Sequence, residues 1–366
     1  MRAAVLEKSR EPLVVYDDVD VIEPRAGEVR VNVKYCGLCH SDLGFVTGKA
    51  PLFGPMIPGH EAAGVIDAVG AGVTHLAVGD HVVMTPAAPC GHCYYCQRGD
   101  HSLCTNAMSI MSGTLPDGET GLTRNGEPIT RGCGMGALAE YVTLPATGAI
   151  KIDDDIPLDT ACVIGCALQT GVGAVLNTVD MEAGATCMVM GLGGIGMSVI
   201  QGARIAGATL IIASDPVAER RERAAAFGAT HVLDPTSDDI DATVQALTNG
   251  IGVDYAFEAA GKAALIEHSV QLTRMGGTTV MVGSPAFEEN VTLSNVVIFG
   301  SLEKKLCGCL LGSSNSLYEI PRLLRLWRQG RLDLESMITS RRPLAEVNEG
   351  FADLEASRGI RTVIAI

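Results

Sequence analysis

Aromatic residues are scarce in this chain: seven Phe, seven Tyr and one Trp among 366 residues, or 4%. A core so poor in rings must pack on Val, Ile, Leu, Ala and Met. Basic residues are also in deficit, with 27 Lys+Arg against 42 Asp+Glu and a net charge of −15. No Lys/Arg block supplies the cationic face that phosphate neutralisation requires, so a general nucleic-acid binder is excluded. No apolar run approaches the roughly 18 residues that cross a bilayer. The N-terminal segment MRAAVLEKSREPLVV lacks the apolar stretch and small-residue cleavage site of a secretory signal. A soluble, cytoplasmic protein without a membrane partner is expected. At roughly 100–200 residues per domain, the length suggests two domains.

Cysteine, by contrast, is plentiful, at twelve. In a reducing compartment that number favours metal ligation or reactive thiols over disulfides. The first third of the chain reads as β-rich. The alternation from Glu28 to Tyr35 puts Val29, Val31 and Val33 on one strand face, and Ala62–Gly70 and His81–Met84 suggest further strands. Dense Gly and Pro punctuation suits a small, irregular β-barrel. The rhythm changes near residue 168. Apolar strands at Thr186–Met190, Thr209–Ala213, Val253–Phe257 and Thr278–Val282 alternate with helices at Ile195–Ala206 and Pro216–Phe227, the pattern of a parallel α/β sheet. A helix at Tyr318–Arg328 and a strand at Arg361–Ile366 close the chain.

Cys90, Cys93, Cys96 and Cys104 form C-x2-C-x2-C-x7-C in a polar, Gly-containing loop. Four thiolates close a tetrahedral coordination sphere and leave nothing for substrate, so a structural zinc site is expected. Iron–sulfur ligation uses the same residue type and is the rival. His92 and His101 read as surface residues. Three further segments contain ligand types: GLCHSD at 37–42, GHE at 59–61 and GC at 165–166. On spacing alone, Cys39, His60 and Cys166 have two readings. They are buried structural residues, or they are the two thiolates and one imidazole of a catalytic zinc with an open fourth position.

Gly191-Leu192-Gly193-Gly194-Ile195-Gly196 follows a strand and opens a helix, as a dinucleotide-binding G-x-G-x-x-G requires. Asp215 ends the next strand, where a carboxylate bonds ribose hydroxyls and repels a 2′-phosphate, favouring NAD over NADP. Arg220, Arg221 and Arg223 keep NADP open as an alternative, or form a solvated helix face.

With these motifs in order, the chain resembles the zinc-containing medium-chain alcohol dehydrogenases over essentially its whole length. The matching segments are GLCHSD, GHEAAG at 59–64, the four-cysteine loop, IGCALQTGVGA at 164–174, GLGGIG at 191–196 and GIRTVIAI at 359–366. The resemblance implies an α/β protein. A GroES-like β-barrel catalytic domain at 1–167 and 311–366 encloses a Rossmann doubly wound parallel sheet at 168–310. It selects the zinc reading of Cys39, His60 and Cys166, with Asp42 orienting His60, Glu61 as a transient ligand and Ser41 passing on the substrate proton. His40 and Arg361 match positions that hold the coenzyme pyrophosphate, and Arg220 one near the adenosine ribose. Thr170 matches a position beside the nicotinamide, Val282 one whose backbone meets its carboxamide, and Leu310 one in the substrate pocket. Two departures stand out. Gly44 replaces a relay histidine, and Met108 replaces an arginine of glutathione-dependent formaldehyde relatives. The implied activity is reversible hydride transfer between an apolar primary or secondary alcohol and NAD, giving an aldehyde or ketone, with one catalytic and one structural Zn2+ per chain. The long loop from Thr105 to Tyr141 suggests a homodimer, with a homotetramer as the alternative. A zinc-free quinone or enone reductase and a non-enzymatic NAD-binding protein are the rival readings. The remaining cysteines, Cys36, Cys133, Cys162, Cys187, Cys307 and Cys309, read as structural thiols.

Overall fold

The computed structural model describes residues 1–293 and 295–366. The chain divides into two compact units, Met1–Gln169 with Ser314–Ile366, and Thr170–Ser313.

The first unit is organised around the strand Glu28–Gly37. In its alternating sequence Val29, Val31 and Val33 are all at most 2% exposed, so one face packs inward as the period-two pattern requires. This strand pairs antiparallel with Glu61–Val69, Tyr141–Pro145 and Arg361–Ala365. The sheet extends through His81–Met84 to Ala149–Lys151 on one side and through Arg361–Ala365 to Ile338–Pro343 on the other, seven strands in all. Its core draws on Leu6, Val31, Leu38, Ile57, Ile66, Met84, Leu138 and Ile364, with hardly a ring among them. Arg131 is fully buried here, and among the described residues it makes no ion pair. Its guanidinium donates to the carbonyls of Thr120, Met135 and Thr143, tying down the long loop.

The second unit is a six-stranded parallel sheet. Across the sheet the strands run His231–Leu233, Leu210–Ser214, Thr186–Met190, Val253–Glu258, Thr273–Met281, Lys305–Gly308. Numbered by sequence this is the order 3-2-1-4-5-6, a doubly wound sheet whose direction of winding reverses between the first and fourth strands. The helix Gly194–Ala206 follows the first strand directly. The next helix spans Ala218–Phe227 rather than beginning at Pro216, because the Asp215 carboxylate accepts the Val217 N–H at 2.9 Å and holds the two preceding residues in a turn. The closing helix starts at Ser316, two residues earlier than its apolar pattern suggests, because Asn315 caps it by accepting from Leu317 N at 3.2 Å. Among the described residues no single helix is long and apolar enough to cross a membrane. The pair Leu158–Gly165 and Ala167–Thr178 reaches that length and composition together but is bent by 49°, and most of it is buried.

Candidate functional site

Three separate segments of the first unit converge. Cys39 is the N-cap of the helix His40–Thr47, so its sulfur lies at the positive end of a helix dipole. His60 directly precedes the strand Glu61–Val69. Cys166 lies at the break between the turn Cys162–Gly165 and the helix Ala167–Gly173. One ligand atom of each lies within 4.8 Å of the other two, and all three side chains are buried. The Cys39 and Cys166 thiols are hydrogen-bonded to each other. Their mutual hydrogen bond holds Cys39 well below its usual value and pushes Cys166 well above.

Charged neighbours surround this trio. Asp42 accepts the Gly59 N–H at 2.8 Å through Oδ1, and its Oδ2 stands 3.0 Å from His60 Nδ1. Those two atoms are not aligned as a hydrogen bond and have no other partner, so Nε2 is the nitrogen left to face the thiols. Burial opposes protonation of His60, but Asp42 and the nearby thiols outweigh it and raise the imidazole well above its usual value. Glu61 is fully buried; burial pushes its carboxyl up to about 7. Its Oε1 accepts the Ala167 N–H at 2.8 Å, and its Oε2 lies 3.4 Å from Arg361 Nε. Arg361 is 3% exposed and donates to the Leu38 carbonyl at 2.7 Å. Ser41 Oγ is 3.8 Å from Cys39 Sγ, while His40 is exposed at the start of its helix. Two buried sulfurs and one ring nitrogen at this spacing, lacking a fourth donor among them, fit an open zinc site.

The loop cluster has a different character. The four sulfurs of Cys90, Cys93, Cys96 and Cys104 lie within 4.8 Å of one another, and Cys93 Sγ is 3.8 Å from Cys104 Sγ. Four sulfurs about 2.3 Å from a zinc ion form a tetrahedron with edges of about 3.8 Å, so the thiols fit the ion. Amides point at the sulfurs: Cys90 N to Cys104 Sγ at 3.2 Å, Cys93 N to Cys90 Sγ at 3.3 Å, Asn106 N to Cys104 Sγ at 3.4 Å. Such donors stabilise thiolate charge. Amides pull the Cys93 thiol down to about 5, whereas burial pushes Cys96 up to about 12.

In the second unit the glycine loop divides its work. Gly191 has φ +91°, and a Cβ there would lie 2.7 Å from Ala260 N. Gly193 caps the helix, and a Cβ there would meet nothing within 4 Å, which leaves the helix N-terminus open to a phosphate. A Cβ on Gly196 would collide with the Gly191 carbonyl. Turn, open approach and close packing are the three roles a pyrophosphate-binding loop demands, and the residues fit a dinucleotide. Gly194 and Ile195 begin the helix.

Asp215, 4% exposed, accepts the Leu192 N–H at 2.8 Å and so faces the loop. Arg220 is not on a solvated face: it is 7% exposed, with Nη1 3.8 Å from Asp215 Oδ2. Arg221 pairs with Asp234 at 2.8 Å. Thr170 and Val282 are buried, and Leu310 is 40% exposed.

Several residues escaped the sequence reading. Cys133, read there as a structural thiol, has its sulfur within 4.8 Å of a His60 nitrogen and an Asp42 oxygen. Glu258 ends the strand beside the glycine loop. Burial raises it to about 7, and it accepts the Ala260 N–H at 2.9 Å. An acidic residue closing the apolar run Tyr255–Phe257 was the available signal.

A largely antiparallel unit bearing two metal-ligand clusters, together with a doubly wound dinucleotide-binding unit, defines a zinc-binding dehydrogenase architecture. Comparison with known proteins agrees. Residues 25–154 match the alcohol dehydrogenase GroES-like domain, and residues 194–326 match the zinc-binding dehydrogenase domain. The chain is 38% identical over 366 residues to the NDMA-dependent alcohol dehydrogenase of Amycolatopsis methanolica, covering 99% of this chain and 98% of that one. Benzyl alcohol dehydrogenase from Acinetobacter calcoaceticus superposes with a TM-score of 0.93 at 29% identity, over 100% of this chain and 99% of that one. A zinc-binding dehydrogenase from Sinorhizobium meliloti 1021, solved bound to NADP, gives a TM-score of 0.78 at 27% identity, over 100% and 99% of the two chains. The chain belongs to the zinc-containing medium-chain alcohol dehydrogenase family.

Proposed function

We propose that the chain interconverts alcohols and the matching aldehydes or ketones by hydride exchange with NAD. It would hold a catalytic zinc at Cys39, His60 and Cys166 and a structural zinc at Cys90, Cys93, Cys96 and Cys104. The supporting observation is the buried trio, which brings two sulfurs and one ring nitrogen within 4.8 Å of one another. When bound, zinc supplies Lewis acidity toward the substrate oxygen, and NAD supplies the hydride acceptor.

Ser41 Oγ would accept the hydroxyl proton of the alcohol while passing its own hydroxyl proton on. Gly44 carries no side chain to relay it farther, so water completes the path. The Asp42 carboxylate, its Oδ2 3.0 Å from His60 Nδ1, would orient the ring by charge attraction. Glu61, paired with Arg361, is the group held in reserve as a transient ligand. His40, Arg361, Gly191, Gly193, Gly194, Ile195 and Gly196 are the residues that would hold the pyrophosphate. Thr170 and Val282 would contact the nicotinamide. Asp215 favours NAD by repelling a 2′-phosphate, while Arg220 is the cation NADP would need. A homodimer is the assembly this reading carries, with a homotetramer as the alternative that sedimentation separates.

Benzyl alcohol, which names the Acinetobacter neighbour, heads the substrates to assay, with other apolar primary and secondary alcohols beside it. NDMA belongs in the same assay because the Amycolatopsis relative is named for it. Turnover with NDMA but not with free NAD would mean that the coenzyme stays bound between cycles. Metal analysis tests the whole reading. Two zinc per chain and alcohol-dependent reduction of NAD or NDMA support it. A metal-free protein that reduces quinones or enones would replace it.

A further inference from the structure

Linked to the Gly165–Cys166 peptide through Gln169 are three polar side chains that no step above uses: Gln169, Thr85 and Ser316, which are 0%, 1% and 2% exposed. They come from the helix after Cys166, the residue following the strand His81–Met84, and the start of the helix Ser316–Arg328. Burying such groups is costly unless every donor finds an acceptor. Here each does. Ser316 Oγ donates to Gln169 Oε1 at 2.9 Å. Thr85 Oγ1 and Ser316 Oγ are 3.0 Å apart, and with the Ser316 proton committed, Thr85 is the donor. Gln169 Nε2 donates to Thr85 Oγ1 at 3.4 Å and to the Gly165 carbonyl. The proton count fixes the amide orientation: reversed, Oε1 would face the Gly165 carbonyl with no hydrogen between them.

The last of these bonds matters most. Gly165 immediately precedes Cys166, and a Cβ on it would collide with the Met84 carbonyl, so backbone packs on backbone there. The peptide that carries the Cys166 sulfur is therefore clamped from two sides, by the end of the strand His81–Met84 and by the Gln169 amide. We propose that Gln169 is a positioning residue for Cys166, and that its amide, held in orientation by Ser316 and Thr85, sets where the sulfur stands relative to Cys39 and His60. The proposal rests on the reading of those three residues as the catalytic zinc site. Neighbours that orient ligands in this way are worth roughly 10–100-fold in metal affinity.

The test compares Gln169→Met, nearly isosteric but without the amide, with the unaltered protein. Zinc release to 4-(2-pyridylazo)resorcinol is followed, and the cobalt-substituted enzyme is examined for its sulfur-to-cobalt absorption bands. The four-cysteine site serves as the internal reference. The expected result is release from the trio faster by about 10–100-fold, shifted cobalt bands, and unchanged release from the loop. Ser316→Ala, which leaves the Gly165 bond but frees the amide to rotate, should move both readouts in the same direction by less. It carries the test if Gln169→Met does not fold. Unchanged release and spectrum in a folded variant overturn the proposal, as does equal acceleration at both sites. If the unaltered protein binds no metal at the trio, the zinc reading itself falls and takes this with it. Metal bound there but indifferent to Gln169 refutes the positioning role alone.

Discussion

The four-cysteine loop and the Cys39–His60–Cys166 trio use similar ligands but are built in opposite ways. The loop takes all its thiols from one stretch between Cys90 and Cys104, keeps two of them half-buried, and supports the sulfurs with its own amides. The trio collects its donors from segments far apart in sequence, is buried throughout, and is surrounded by Asp42, Glu61 and Arg361. A closed coordination shell completes itself, so a short loop suffices. An open shell must be kept from collapsing or filling, so its ligands sit at the ends of sheet strands and helices. Neighbouring charged groups hold them there: Asp42 stands against His60, and Arg361 against Glu61.

Breaking each site should expose that difference. Cys39→Ser should cut turnover roughly 10³-fold or more, since the ion supplies several kcal/mol to the reaction. The variant should lose one zinc, keep the loop zinc and bind NAD nearly as before; metal analysis and coenzyme titration check this. Full activity in that variant would remove the trio from the chemistry. Cys104→Ser should act on stability instead, because binding energy at a structural zinc is folding energy. The expected outcome is a lowered melting temperature with metal retained at the trio, and an unchanged melting curve would deny the loop its structural role. Ser41→Ala should slow the single-turnover chemical step by about 10²-fold while both metals stay. An unaltered rate sends the proton by another path.

The smallest effect expected lies in the other unit. Burial keeps Glu258 protonated up to about 7 rather than the usual 4.5. Between those values the folded state holds a proton that the unfolded chain has released. Its contribution is therefore fully present below about pH 4.5 and is lost as pH rises through about 7. Melting temperatures measured from about pH 5 to pH 8 should fall a few degrees further in the unaltered protein than in Glu258→Gln. Identical slopes would contradict this.

What could be read in advance follows the same division. The cysteine loop, the three glycine roles and the alternation of Val29, Val31 and Val33 are all local, and local spacing reveals them. Cys39, His60 and Cys166 could not be joined by spacing, and only the family resemblance made them one site. Gln169 and Cys133 acquire their meaning from packing against distant segments, Thr85 and Ser316 in one case and His60 in the other, and no periodicity encodes that. Arg220 stayed open between a solvated face and a coenzyme contact for a related reason. A charged helix looks solvated until Asp215 folds against it.

Anomalous diffraction at the zinc edge, on crystals grown without added metal, tests the central claim most directly. A peak about 2.0–2.3 Å from Cys39 Sγ, His60 Nε2 and Cys166 Sγ, together with a second among the four loop sulfurs, is the predicted result. A peak in the loop alone, with those three side chains directed away from one another, would contradict it.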